Sequence, residues 1–285
     1  MRLSTRIQAP SGKLAQPSSI QPSSILCLHG HPGSGAAMSV FTESLSAMGF
    51  RTYAPDLRGY GQSRTRYPFA MASHIDDLEE LLAQYSIDEC LVLGWSLGGI
   101  LAMELALRRP NTVRGLILVG TAARPVGSHP PIAWQDNVLT GIAGGLNWAL
   151  PAFEPVVELG KRSLFRYLIQ QHTPTAYRYL ARQGAPAALQ TSRYAGAALS
   201  SAIRAGYNRL PDIKALQMPS LMLCAECDRH ITAAASLETA RALPNCESHY
   251  YLETAHLFPW EIPDRVNLDI QNWLISKGFV RSRGQ

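Results

Sequence analysis

No run of about eighteen apolar residues occurs in the 285-residue chain, so the sequence predicts no integral membrane contact. Charge is scarce too. Asp, Glu, Lys and Arg make up 16% of residues against 46% hydrophobic ones, which excludes a disordered or fibrous chain and supplies material for a sizeable core. The first twenty-four residues lack the apolar stretch of a secretory leader, and the first such stretch, Ile25–Leu28, is far too short. A cytoplasmic location is the expectation. Cysteines are few and odd in number: Cys27, Cys90, Cys224, Cys227 and Cys246. With several in apolar runs, they read as small buried hydrophobes in a reducing compartment. Cys224 and Cys227 form a C-x-x-C beside Asp228 and His230. No second well-spaced pair completes a metal site, and no helix opens at the motif as a redox pair requires. No metal and no cofactor are expected.

Net charge is +5 and unevenly placed. From Arg124 to Lys214 there are ten Lys or Arg against four Asp or Glu, a surplus of six, so the remainder is slightly acidic. Uniform basicity would suggest nucleic acid; one basic segment points instead to a local acidic partner, an anionic substrate or a solvated helical face. At roughly 100–200 residues per domain, the length fits one large domain or one domain carrying an insertion.

Up to about Thr121, strand-like and helix-like stretches alternate. Ile25–Leu28, Phe50–Ala54, Leu91–Leu93 and Gly115–Gly120 are apolar runs, while His74–Tyr85 and Leu97–Arg109 carry helical spacing, the latter stopped by Pro110. Near-continuous apolar strands alternating with helices predict an α/β fold, a mostly parallel sheet covered on both faces. From about Pro125 to Leu216 no strand is legible. Trp134, Val138 and Ile142 fall four apart, and Leu164, Phe165, Leu168 and Ile169 form a second stripe, so this reads as a helical insertion. Strand-like text returns at Leu221–Cys224 and Ser248–Leu252, and a last helix carries Val266, Ile270, Trp273 and Leu274 on one face. Gln16–Ser24 is a biased stretch expected to be a surface loop.

The chemistry centres on Gly94-Trp95-Ser96-Leu97-Gly98-Gly99. A G-x-S-x-G is weak alone, but here it lies between a strand and a helix start. That turn holds the serine strained at a helix N-terminus, exposes its hydroxyl and favours negative charge. Ser96 is the candidate nucleophile, and it needs a base. Of eight histidines, His256 is best placed, in a loop between the last strand and the last helix. His29 and His31 flank another strand end, His74 falls in a helix, His129 and His172 in the insertion, and His230 and His249 after and within strands. A carboxylate must hold the base; Asp228 follows a strand within a few residues, with Glu226 as its rival. The order Ser96, Asp228, His256 is that of one serine-hydrolase architecture. The amides of His31, in the Gly-rich loop after the first strand, and of Leu97 are the candidate oxyanion donors.

Together with Asp56-Leu57-Arg58-Gly59-Tyr60-Gly61-Gln62-Ser63 and His29-Gly30-His31-Pro32, these residues resemble the α/β-hydrolase fold family over nearly the whole chain. The resemblance implies an eight-stranded, mostly parallel sheet, a core of residues 1–124 and 217–285, and a helical lid at 125–216. It further implies hydrolysis of a carboxylic ester or thioester through an acyl-serine, without a cofactor. A serine at 96 separates the chain from the dehalogenases and epoxide hydrolases of this fold, which resemble it but carry Asp there. The hexapeptide is similar to that of pimeloyl-carrier-protein methyl esterases, which implies an acidic carrier protein as a partner for the basic lid. The loop His31–Gly35 also resembles those of generic carboxylesterases and cofactor-free haloperoxidases. Trp95, Trp134, Trp148, Phe165 and Tyr194 are candidates for lining an acyl pocket, with core packing as the alternative for the lid residues. Ala225 and Thr254-Ala255 depart from the glycines usual in this family. A lyase or acyltransferase on the same residues, or a binding protein that merely keeps the fold, are the other readings.

Overall fold

The computed structural model describes residues 1–11 and 23–280; most of the expected Gln16–Ser24 loop lies outside them. Seven strands form one sheet: β1 Thr5–Gln8, β2 Ser24–Leu28, β3 Arg51–Pro55, β4 Cys90–Trp95, β5 Val113–Val119, β6 Ser220–Ala225 and β7 Cys246–Tyr251. Their order is β1-β3-β2-β4-β5-β6-β7. All neighbours run parallel except β1, which pairs antiparallel with β3 through Thr5↔Pro55.

The expected eight strands are corrected to seven among the described residues. Eight came with the family resemblance, whereas the chain's own apolar stretches number six. The structure adds β1, whose four side chains are exposed or half-buried, so no apolar run marks it. It forms the edge of the sheet.

Alternate residues of each central strand enter opposite faces. Ile25, Cys27, Leu91, Leu93, Ile117, Val119, Leu221 and Leu223 join one apolar cluster, where α1 (Ser39–Ala47) and the last helix, α12 (Pro263–Ser276), contribute Phe41, Leu45, Ile270 and Trp273. Leu26, Leu28, Val92, Leu116, Leu118 and Met222 join the other, covered by α2 (Ser73–Gln84), α3 (Leu97–Arg108) and α10 (Ala233–Ala242). Full burial of each such aliphatic side chain stabilises the fold by about 1.5–3 kcal/mol.

Between β5 and β6 lie six α-helices and no strand: α4 Trp134–Ala149, α5 Glu154–Lys161, α6 Phe165–Leu168, α7 Pro174–Tyr179, α8 Ala185–Leu189 and α9 Arg193–Arg204, with a π-helical turn at Leu180–Gly184 joining α7 to α8 and a 3-10 turn at Asp212–Ala215. Pro at the first or second position opens α5 and α7, where its missing N–H costs nothing. Ala143, Val157, Phe165 and Tyr177 of this segment join the same cluster as α1 and α12. A short helix, α11 (Phe258–Glu261), precedes α12 and supplies Trp260, which stacks on Tyr179 at 6.0 Å.

Candidate active site

Ser96 stands at the bend from β4 into α3 with φ 54° and ψ −116°, a conformation that costs a non-glycine residue about 1–3 kcal/mol. The surroundings hold it there. Its amide donates to the Val119 carbonyl at 2.8 Å, and the Thr121 hydroxyl donates to its carbonyl at 2.8 Å. Gly94 and Gly98 permit the bend because a Cβ on Gly94 would collide with the Gly98 carbonyl, and one on Gly98 with that of Leu28.

His256 lies 160 residues further along, in the loop between β7 and α11. Its Nε2 is 3.1 Å from Ser96 Oγ, and its Nδ1 is 2.7 Å from Asp228 Oδ2. A carboxylate only accepts, so Nδ1 carries the proton and Nε2 is left to accept from the serine hydroxyl. The other Asp228 oxygen accepts from the amides of His230 at 2.7 Å and Ile231 at 2.9 Å, which fixes the carboxylate plane. All three side chains are nearly buried, with 4–7% of each residue exposed. Glu226, the rival acid, is exposed and accepts from the Glu253 amide instead. The departures from glycine leave this geometry intact. Ala225 ends β6 fully buried, and the Thr254 hydroxyl donates to the Tyr251 carbonyl inside the loop.

The loop after β2 passes over the serine, since a Cβ on Gly30 would come within 3.1 Å of Ser96 Cβ. Neither the His31 nor the Leu97 amide has a hydrogen-bond partner among the described residues. His29 is the anchor of that loop: Nδ1 donates to the Gly30 carbonyl at 2.8 Å, and Nε2 accepts from the Leu57 amide at 3.0 Å. Asp56 holds the facing turn by accepting from Gly35 and Gln62 amides at 2.7 and 2.8 Å. His31 Nδ1 lies 2.8 Å from the Tyr60 hydroxyl, while the His230 ring packs 4.9 Å from His256 and stacks on His129 at 5.8 Å.

Burial lowers the imidazoles of His29 and His74 to about 4, whereas an unfolded chain titrates them near 6.5. The unfolded state therefore takes up these protons first as pH falls. Their contribution is intact above pH 6.5 and is lost on the way down to 4, by up to about 1.4 kcal/mol per pH unit for each group. Urea midpoints are expected to drop between pH 7 and pH 5. His74→Leu removes a ring whose Nδ1 is buried without a partner, so it should flatten part of that drop; an unchanged slope would contradict this account.

Of the pocket candidates, Trp95 is buried against Phe41 and Trp260, edge to face with both. Phe165 packs on Tyr177 in the core cluster. Trp134 and Trp148 are 71% and 65% exposed, and Tyr194 accepts from Arg193 on the surface of α9. Cys224 is buried in β6, which pushes its thiol up to about 12. Glu261 escaped the sequence reading. Its Oε1 accepts from Ala255 at 3.0 Å, and its Oε2 accepts from Gln171 at 2.6 Å and Gln170 at 3.2 Å. It thus ties the loop carrying His256 to the helical segment between β5 and β6. Burial raises its carboxyl despite those three donors. The available signal was an acid set within the aromatic Phe258-Pro259-Trp260 run.

The model of the family described as alpha/beta hydrolase fold matches residues 24–263. The chain belongs to the α/β-hydrolase fold family, a class of hydrolytic enzymes. It is 35% identical over 125 residues to the pimeloyl-[acyl-carrier protein] methyl ester esterase of Vibrio campbellii, covering 43% of this chain and 46% of that one. The Vibrio atlanticus enzyme of the same name is 25% identical over 81% of this chain and 86% of its own. A thermophilic esterase from Thermogutta terrifontis superposes with a TM-score of 0.68 at 21% identity, over 96% and 93% of the two chains. No helix among the described residues is long and apolar enough to cross a membrane.

Proposed function

We propose that this hydrolase cleaves a carboxylic ester through an acyl-serine intermediate. Ser96 Oγ attacks the ester carbonyl as His256 Nε2 takes its proton, and Asp228 holds the resulting imidazolium. The N–H groups of His31 and Leu97 receive the negative charge that forms on the carbonyl oxygen. Collapse breaks the bond to the leaving oxygen, which takes the proton from His256. Water then attacks the acyl group by the same route, releasing the acid and restoring Ser96. The observation that carries this reading is the unbroken hydrogen-bond chain Ser96–His256–Asp228. The six helices between β5 and β6 act as the lid in this reading.

A narrower reading takes a methyl ester on an acidic carrier protein as the substrate. Two observations favour it: the names of the Vibrio relatives, and the basic surplus of the insertion. Arg162, Arg178, Arg182, Arg193, Arg204 and Lys214 have no ion-pair partner among the described residues.

A fluorophosphonate probe should phosphonylate Ser96, detected by mass spectrometry of the peptide spanning β4 and α3. Folded protein left unmodified at Ser96 after prolonged exposure would remove the acyl-serine reading. Hydrolysis of a carrier-linked methyl ester that is no faster than that of the free ester would remove the narrower one.

A further inference from the structure

From Gly127 to Gly160 the chain contains no Lys or Arg, and α4 runs through the middle of this stretch. One side of α4 is anchored. Ala143 and Asn147 are buried, the Asn147 amide donates to the Tyr177 carbonyl at 2.7 Å, and Thr140 accepts from the Leu164 amide at 2.9 Å. The opposite side carries Trp134, Val138, Ile142, Leu146 and Trp148, exposed by 71, 52, 50, 43 and 65%. At 100° per residue these five span an arc of about 160°. Leu150 and Phe153, both 53% exposed, extend the surface past the end of the helix. The one charged residue of α4, Asp136, is paired with Arg166 at 2.8 Å.

Together these side chains offer on the order of 800 Å², about what each partner contributes to a standard protein interface and above the largest patch of a typical monomer. We infer that this face is the interface of a homodimer, with α4 packed against the α4 of a second copy about a two-fold axis. Charge selects that occupant. Two copies carry their positive surplus on the segment from Arg124 to Lys214 that contains α4, and a two-fold contact sets each residue near its own kind, so a contact through this segment is best tolerated on its uncharged face. An anionic membrane surface would need free cations on or beside the helix; this stretch supplies none, and Arg166 beside it is paired with Asp136. Gly141 and Gly145 fall inside the arc, one on either side of Trp134, and a Cβ on either would meet nothing within 4 Å in its own protomer. One turn apart, they would let two helix axes approach closely, with Val138, Ile142 and the two tryptophans closing around the crossing.

The substitution Gly141→Leu tests this directly. It fills open space in the protomer, improves helix propensity and enlarges the apolar face, so the isolated chain should fold at least as well. Between two close-packed helices it would clash. Sedimentation velocity over roughly two decades of concentration should show wild-type dimer, with Gly141→Leu and Val138→Glu each weakening association at least about tenfold. Circular dichroism and ester turnover should stay as in the wild type, because neither residue belongs to the proposed catalytic site. A wild-type chain that stays monomeric throughout would overturn the inference, as would a dimer indifferent to both substitutions. Co-sedimentation of a monomer with phosphatidylglycerol vesicles, tightened by Gly141→Leu, would overturn it in favour of a lipid surface.

Discussion

Ser96→Ala is expected to reduce kcat on a p-nitrophenyl ester by about 10⁴–10⁶-fold while leaving the fold intact. The substitution removes only Oγ. The Cβ, the backbone at φ 54° and both backbone hydrogen bonds of the bend remain, and alanine is no more strained there than serine. Because nucleophile and base act as one unit, His256→Ala should cost a similar factor, and the double variant little more than either single one. Initial rates with urea midpoints for all three variants give the measurement. Turnover by Ser96→Ala within tenfold of wild type would mean that another group attacks the carbonyl.

Asp228→Asn should reduce kcat by about 10⁴-fold, and the geometry says why. The amide has one accepting oxygen where the carboxylate has two. If that oxygen keeps the amides of His230 and Ile231, the NH₂ group faces His256 Nδ1 and drives the ring proton onto Nε2. The base then points a donor at the serine. If the amide flips, His256 keeps its tautomer, but the NH₂ abuts two backbone donors and a buried site is left unsatisfied, at a cost of about 1–3 kcal/mol. A loss of kcat with an unchanged urea midpoint identifies the first arrangement; a lowered midpoint identifies the second. Glu226→Gln is the control, because Glu226 is exposed and turned towards the Glu253 amide; it should alter kcat by less than about twofold. A comparable loss in that variant would assign the carboxylate role to Glu226.

Much of this site was legible because each component is a local demand. A strand-to-helix bend that holds a serine at positive φ needs small residues on both sides, so Gly94 and Gly98 advertise it. A base belongs after one strand end and an acid after another, which favours His256 and narrows the acid to Asp228 or Glu226 without coordinates. The supports were not legible. His29 was legible only as a residue beside a strand end, whereas both its ring nitrogens are occupied by backbone groups that anchor the loop. Glu261 reaches across to Gln170 and Gln171, some ninety residues away, and no periodicity links those positions. The edge strand Thr5–Gln8 carries no apolar run, because a sheet edge half-open to solvent does not require one.

The insertion marks the division most clearly. The fourfold spacing of Trp134, Val138 and Ile142 identified a helix with one apolar side, because side-chain direction repeats with the helical turn. It left open what covers that side, since an amphipathic pattern specifies a boundary between apolar and polar surface and not the neighbour beyond it. The fold buried Ala143 and Asn147 and turned the tryptophans outward. The sequence alone determined the six apolar strands, their alternation with helices and the chemical groups available, all of which follow from local sterics and side-chain chemistry. Whether Ser96 and His256 meet, which acid faces the imidazole and which face of α4 stays open depended on packing summed over the whole sheet, and only the tertiary structure decided them.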